Sequence, residues 1–495
     1  MTIVVDADLV VEEDEVLTLV DRGFALANEA SLTVAGAVIV NTEDAASVLG
    51  VFALGGASAF AASQTTITET GSLRVGSEES VAVARGFAFN AASPGFSNAG
   101  SIFCASAAWA VAIQGGAGFD FANSGDLTVI GGQGARAVSA PSGGNLSNSG
   151  TIAVDSGSGI AVGMALVGAG AVLNTGEITV VNQRGRSIGV DLIAGMDADV
   201  RFENRGTINA LIALRVSSDP ESETPTVLLN SGTMNGFVWL GDGAEHFTNT
   251  GKLMNGISLG GGDDVYDGRG GGGHTSISGG AGDDVLMGGR GHDWLFGGAG
   301  ADRMDGGDGG DRYYVDHPGD RTIDTGSSGR DHVFADISWR LDDGIEALSL
   351  GGRDQINGIG NDADNILIGN ERPNVLVGMG GSDSLSGGAG ADRFAFNAVS
   401  ESSFEQYDRI MDLRSEDYID LRKIDADTTT PGDDAFTRVD AFSGQAGELM
   451  MTYYPRPGSF AANFTFLLGD VNGDGRADLR IYLQGDHRGF DHILW

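Results

Sequence analysis

Four nine-residue units follow one another without a break over residues 279–314: GGAGDDVLM, GGRGHDWLF, GGAGADRMD and GGDGGDRYY. Each has a glycine-rich loop ending in an acid at its sixth position, namely Asp284, Asp293, Asp302 and Asp311. The eighth position is large and apolar in every unit (Leu286, Leu295, Met304, Tyr313), as a very short strand burying one side chain requires. Two units make a coil of 18 residues, so alternate loops stack, Asp284 over Asp302 and Asp293 over Asp311. Stacked carboxylates repel unless a cation lies between them. Ca2+ suits such a place, because it takes about six to eight oxygen ligands in a flexible cage that admits backbone carbonyls, whereas Mg2+ demands a tighter octahedron. The glycines Gly280, Gly282, Gly289, Gly291, Gly298, Gly300, Gly307 and Gly309 are expected to supply the positive φ that turns loop carbonyls inward.

The same phase extends beyond the four units. LGGGDDVYD (259–267) keeps its acid as Asp264, and LGDGAEHFT (240–248) places Glu245 there, whereas GGGGHTSIS (270–278) has lost it. A second, degenerate block covers residues 360–395. In it Asn365 and Asn374 replace the acid and lose its charge, which predicts weaker sites, while Asp383 and Asp392, the latter with Gly388 and Gly390, restore it. A separate stretch, Asp470-Val471-Asn472-Gly473-Asp474-Gly475, begins like an EF-hand loop. Ile481 stands where the bidentate Glu of such a loop belongs, so Asp478 would have to compensate; a plain acidic turn would read the same way.

These loops need elements to hold them. The N-terminal half carries a second repeat, Asn-x-Gly, at Asn98, Asn123, Asn148, Asn174, Asn204, Asn230 and Asn249, with spacings of 25, 25, 26, 30, 26 and 19 residues. Weaker copies stand at Asn28 and Glu69. The residues after each turn alternate polar and apolar, as in Thr151-Ile152-Ala153-Val154, which is the pattern of a half-buried strand. Asn and Gly tolerate positive φ, so each Asn-x-Gly is a turn, and the spacing suits one coil of a β-solenoid with stacked asparagines bonded into ladders. The hairpins of a β-sandwich would use similar turns. Around residues 216–226 an acidic, proline-bearing segment reads as a loop excursion and a candidate contact site. The last Asn-x-Gly, at Asn249, runs into the Asp264 repeat with no linker composition between, which predicts one continuous solenoid.

Composition narrows the function classes. With 29 basic and 68 acidic residues the net charge is −39, which disfavours nucleic acid and anionic membranes and favours cations. Gly is 81 of 495 residues and Pro only 9, as in a turn-rich repeat protein. Cys104 is the single cysteine, so no internal disulfide forms. No apolar run of about 20 residues predicts a transmembrane segment, and the N-terminal residues do not read as a Sec signal.

From about residue 259 onward the chain resembles the RTX repeat region and C-terminal domain of serralysin-type secreted metalloproteases. The resemblance is carried by the nonapeptides, by DRYYVDHPGD (311–320), ADRFAFNAVSES (391–402) and DRIMDL…DYIDLRKID (408–425). It implies several bound Ca2+ ions, folding on calcium, and export by type I secretion machinery that reads an uncleaved C-terminal signal. The ending Phe490-Asp491-His492-Ile493-Leu494-Trp495 departs from such signals at His492. The protease is not implied, because none of the seven histidines falls in the zinc-binding H-E-x-x-H-x-x-G-x-x-H pattern.

The expected fold is all-β: a right-handed parallel β-solenoid over residues 1–255, an RTX parallel β-roll over 256–395 in two blocks (259–314 and 360–395), and a β-sandwich-like C-terminal module over 396–495. The expected function is a secreted calcium-binding RTX protein with an adhesive, cell-surface or matrix role and a surface polysaccharide or neighbouring cell as partner. The competing reading is a polysaccharide lyase, hydrolase or epimerase on the N-terminal β-helix. Residues 1–245 contain no Tyr, His or Lys, so that reading would rest on residues such as Arg184, Arg186, Asp191 and Glu203.

Overall fold

The structure, a computed structural model, describes residues 95–195, 198–221, 225–272, 275–455 and 463–495 in full, and the strands before residue 95 by their backbone. The copies of the first repeat at Asn28 and Glu69 lie outside the described residues. The chain forms two compact units, Met1–Arg290 and Gly291–Trp495. The fold is all-β: among the described residues the sole helical turn is a short 3-10 segment, Val399–Ser402.

In the first unit each coil pairs in parallel with the next. Strand Ser142–Asn148 sits between Ala117–Asn123 and Gly170–Asn174, and Thr151–Ser156 between Asp126–Gly131 and Glu177–Asn182. The alternation read in the sequence becomes two buried columns. Phe96, Phe121, Leu146, Val172, Phe202, Leu228 and Phe247 stack from one wall, and Ile102, Leu127, Ile152, Ile178, Ile208, Met234 and Leu253 from the facing one, none more than 4% exposed. Fully burying side chains of this size contributes about 1.5–3 kcal/mol each.

The seven asparagines form the expected ladder. Each Nδ2 from Asn98 to Asn230 donates to the Oδ1 of the asparagine one coil on, at 2.7–2.9 Å. The turn glycines play a different part from the one expected. None of Gly125, Gly150, Gly176, Gly206, Gly232 and Gly251 has positive φ. A Cβ on Gly150 would overlap the Gly125 carbonyl oxygen, so glycine is there because successive coils approach too closely for a side chain.

Residues 245–270 continue this coil. Glu245–Asn249 pairs with Thr226–Asn230 on one side and Val265–Asp267 on the other, and Val265–Asp267 pairs with Val285–Met287 of the first nonapeptide. The excursion near 216–226 leaves the coil after Thr207–Ser217 and returns at Thr226, with residues 222–224 outside the described set.

In the second unit shorter strands stack in parallel on two walls. One wall runs through Trp294–Ala299, Arg312–Val315, His332–Ala335, Ala347–Leu350, Ile366–Ile368, Ser384–Ser386 and Arg409–Ile410. The other includes Val375–Val377, Arg393–Ala395 and Tyr418–Asp420, ending on Ile493–Leu494. The eighth-position residues Leu295, Met304, Tyr313, Leu367, Leu376, Leu385 and Phe394 are all 0% exposed, which explains why this position alone stays large. Three antiparallel strands, Glu448–Tyr454, Phe464–Asp470 and Leu479–Gln484, follow, and the last pairs in parallel with Arg409–Ile410.

Candidate calcium-binding stack

The sixth-position acids point inward and are bonded into ladders of their own. The backbone N–H of one sixth-position residue donates to Oδ1 of the acid one coil on: Asp264 to Asp284 at 2.9 Å, Asp293 to Asp311 at 2.8 Å, Asn365 to Asp383 at 2.7 Å and Asn374 to Asp392 at 2.9 Å. The expected pairing of Asp293 with Asp311 is present at the expected spacing of 18 residues. Asp284 belongs to the first unit and Asp302 to the second.

The ladders recruit acids that lie outside the nonapeptides. Asp302 N–H donates to Asp320, Asp311 to Asp331, Asp331 to Glu346, Asp383 to Asp408 and Asp392 to Asp417. Most of these partners escaped sequence reading because the coil length changes there, to 20 residues between Asp311 and Asp331, 15 between Asp331 and Glu346 and 25 between Asp383 and Asp408; Asp320 keeps the 18-residue spacing but lies outside the nonapeptides. A shorter signal survives the change of spacing. An acid two residues before a buried apolar residue recurs in Asp331/Val333, Asp408/Ile410 and Asp417/Ile419.

Only one oxygen of each carboxylate is used by the ladder. Oδ2 of Asp264, Asp311, Asp383, Asp392 and Asp408 is buried with no hydrogen-bond partner. Burial pushes the carboxyl of Asp264 up to about 8, Asp311 and Asp383 to about 7, Asp392 to about 6 and Asp408 to about 8, in each case reinforced by neighbouring carboxylates. Burial pushes Glu245 up to about 7, and the nearby Asp242 charge adds to this, while the Ser218 hydroxyl beside it works the other way. A buried anionic oxygen that lacks a donor costs several kcal/mol, by about the desolvation penalty per ion, so the stack calls for a counter-charge.

The glycines divide into two kinds. Gly280, Gly282, Gly291, Gly298, Gly300, Gly307, Gly309, Gly388 and Gly390 have positive φ, as expected. Gly289 does not; a Cβ there would press on the Gly268 carbonyl oxygen at 2.5 Å. The first glycine of several units, overlooked in the sequence, packs on the acid: a Cβ on Gly306, Gly378 or Gly387 would overlap Oδ2 of Asp311, Asp383 or Asp392. Met379 occupies a glycine position and has φ 74°, the one positive φ outside glycine among the described residues.

These groups fit a hard cation that takes oxygen from one or two carboxylates and from loop carbonyls. Among the described residues no three His, Cys, Asp or Glu side chains converge, so coordination of such a cation would be completed by other oxygens, backbone carbonyls or water. Asn365 and Asn374 differ from the acids. Their Nδ2 groups donate to the carbonyl oxygens of Ile345 (3.3 Å) and Ile356 (2.6 Å) and to Asn361 and Asn370. An amide N–H therefore does at these two rungs what a cation would do at an acidic one.

The EF-hand-like stretch is a turn between Phe464–Asp470 and Leu479–Gln484. Asp470 accepts N–H groups from Gly473 and Gly475, Asn472 from Asp474, Asp474 from Arg476, and Asp478 from Val471. These oxygens are engaged within their own loop.

In the solenoid, Asp191 is 4% exposed and bound through both oxygens by Arg215, at 2.8 and 2.7 Å. Glu203 pairs with Arg205, and the backbone N–H groups of Arg184 and Arg186 donate to Asn182. Asp191 and Glu203, two of the acid–base candidates of the competing reading, are thus each paired with an arginine, whereas Arg184 and Arg186 are held in their turn by backbone contacts.

No match is found among curated proteins. The family described as Peptidase M10 serralysin C terminal matches residues 237–494, just over half of the chain, a stretch that begins where the asparagine ladder meets the first acids of the stack. The chain belongs to this serralysin C-terminal family.

Proposed function

We propose that this is a secreted calcium-binding protein of the RTX type, exported unfolded by type I machinery and folded by calcium outside the cell. The observation that supports the reading most directly is the row of buried carboxylate oxygens without donors, at Asp264, Asp311, Asp383, Asp392 and Asp408. Such a stack is unfavourable where calcium is scarce, because ionised carboxylates cannot be buried unpaired. At millimolar calcium, sites of about 10⁻⁴–10⁻³ M affinity fill, and binding free energy becomes folding free energy. No helix among the described residues is long and apolar enough to cross a membrane.

The N-terminal solenoid then serves as an adhesive or matrix-forming wall whose partner is a surface polysaccharide or a neighbouring cell. The commitment of Asp191 to Arg215 supports this reading over a catalytic one. The test is far-UV circular dichroism of the full chain during calcium titration. A cooperative gain of β-structure is expected near millimolar calcium, and a spectrum indifferent to calcium would overturn the proposal. A glycan array probed with the calcium-loaded protein then tests the adhesive role, which lack of binding to any glycan or cell surface would overturn.

A further inference from the structure

We propose that Phe237, Trp239 and the serines beside them form a binding site for a neutral polysaccharide on the outer face of the solenoid. The inference rests on the adhesive reading above and names the surface that carries it. Along strand Thr233–Trp239 the side chains alternate: Met234 and Val238 are buried, whereas Phe237 is 39% and Trp239 46% exposed. The two rings stand 6.4 Å apart, tilted by 34°. Single exposed apolar residues are ordinary, but adjacent rings left in water mark a contact surface.

Register with the next two coils shows what lies beside the rings. Trp239 pairs with Ser258, and Ser258 with Ser278. Val238 N–H donates to the Gly256 carbonyl, which sets Gly256 next to Phe237, and a Cβ on Gly256 would lie 3.4 Å from the Ser276 Cβ. Val238, Ile257 and Ile277, between these positions, are buried, so Gly256, Ser258, Ser276 and Ser278 share the outer face with the rings. No side chain larger than serine stands on this shelf at these four positions, and two strand spacings make it roughly 10 Å wide. The aromatic residues of the second unit differ: Arg312 lies 4.7 Å over Trp294, and Tyr314 stacks on Phe296 at 4.1 Å. Among the described residues no guanidinium packs on Phe237 or Trp239, and no ring does except each other's.

A sugar is the ligand that this chemistry fits. The axial hydrogens of a pyranose ring are slightly positive and pack on the negative face of an aromatic ring. The sugar's own hydroxyls then meet the hydroxyls of Ser258, Ser276 and Ser278 and the Trp239 indole N–H, none of which has a hydrogen-bond partner among the described residues. Charge selects the neutral class. On the other side of Trp239 its register partner is Arg215, and both oxygens of Asp191 already take up that guanidinium. No free cation therefore stands beside the shelf to offset the repulsion between an acidic polysaccharide and a chain of net charge −39.

The test uses the full chain in calcium. The neutral probes are hexasaccharides of glucose, mannose, galactose and N-acetylglucosamine, the acidic probe is hexagalacturonate, and binding is measured by calorimetry. The wild type is expected to bind at least one neutral probe and not hexagalacturonate. Trp239→Ala should weaken that binding about tenfold or more, as loss of a central aromatic anchor does. Ser258→Phe should abolish it, because a ring there covers Trp239 as Tyr314 covers Phe296. Circular dichroism checks that each variant is folded; should Trp239→Ala misfold, Ser258→Phe, at a half-exposed position, still decides the matter. Neutral binding unchanged in both variants, or a preference for hexagalacturonate, overturns this site and leaves the adhesive reading in place. A wild type that self-associates in sedimentation and becomes monomeric on Trp239→Ala also overturns it, since the rings then serve a second copy. A wild type that binds none of the probes, no glycan on an array and no cell surface overturns the adhesive reading together with the site.

Discussion

Gly387 lies directly against Asp392: a Cβ on the glycine would overlap the buried Oδ2 that carries no hydrogen bond. The same relation joins Gly306 to Asp311 and Gly378 to Asp383. The first glycine of the repeat is therefore a steric floor under the carboxylate, whereas the second and fourth, Gly289 apart, are conformational. Gly387→Ala should displace the Asp392 oxygen and cost about 1–3 kcal/mol, as overpacking does. In calcium titrations followed by calorimetry its strongest effect should be weaker binding at one site, about tenfold per 1.4 kcal/mol. Unaltered calcium affinity in a folded Gly387→Ala protein would contradict this role.

Asn374 satisfies its surroundings without a metal, because Nδ2 donates to Ile356 O at 2.6 Å and to Asn370 Oδ1 at 3.1 Å. Asn374→Asp removes both donors and adds a buried charge. The variant should lose at least about 2 kcal/mol of stability in calcium-free buffer, from the stranded acceptors. In calcium it should recover that loss and bind one additional ion. Denaturant melts with and without calcium check the sign, and equal destabilisation in both would count against the cation-like role of the amide.

The asparagine ladder should respond differently. Asn174 accepts from Asn148 and donates to Asn204 and to the Gly176 carbonyl. Asn174→Asp turns the donor toward Asn204 Oδ1 into a second acceptor in a fully buried position. A loss of about 3 kcal/mol is expected, in line with an uncompensated buried charge, and calcium should not reverse it. Rescue of the variant by calcium would show that the two repeats are not chemically separate at this rung.

Acidity should stabilise the calcium-free fold. An unfolded Asp titrates at about 3.9, whereas burial holds Asp264 and Asp408 near 8 and Asp311 and Asp383 near 7 in the folded chain. Between these values the folded state binds more protons than the unfolded one, so its stability falls as pH rises. The contribution is fully present below pH about 4 and is lost by pH about 7–8, where these groups ionise when folded. Calcium needs the ionised form, so the loaded protein should show the opposite slope over the same window. Thermal melts from pH 4 to pH 8 with chelator and with calcium test both slopes; parallel slopes would sink the account.

Much was legible in the chain because its repeats are short and strict. Asn-x-Gly at intervals near 25 residues specified the coil and its ladder, since any other register would separate the asparagines or turn Ile152 and Ile178 outward. The nonapeptide phase likewise specified which acids face inward, because Leu295 and Tyr313 two positions later must be buried. Tertiary structure alone decided three things. It brought Asp331, Asp408 and Asp417 into the ladders across coils of unequal length, which no fixed period reveals. It assigned different work to similar glycines, since close approach and positive φ leave the same letter in a sequence. It also left one oxygen of Asp264 or Asp392 without a donor while giving every oxygen of Asp470 one. Residue type and spacing place a carboxylate on the inner side of a turn, but whether its last lone pair meets an N–H or an empty space depends on how closely the next coil approaches.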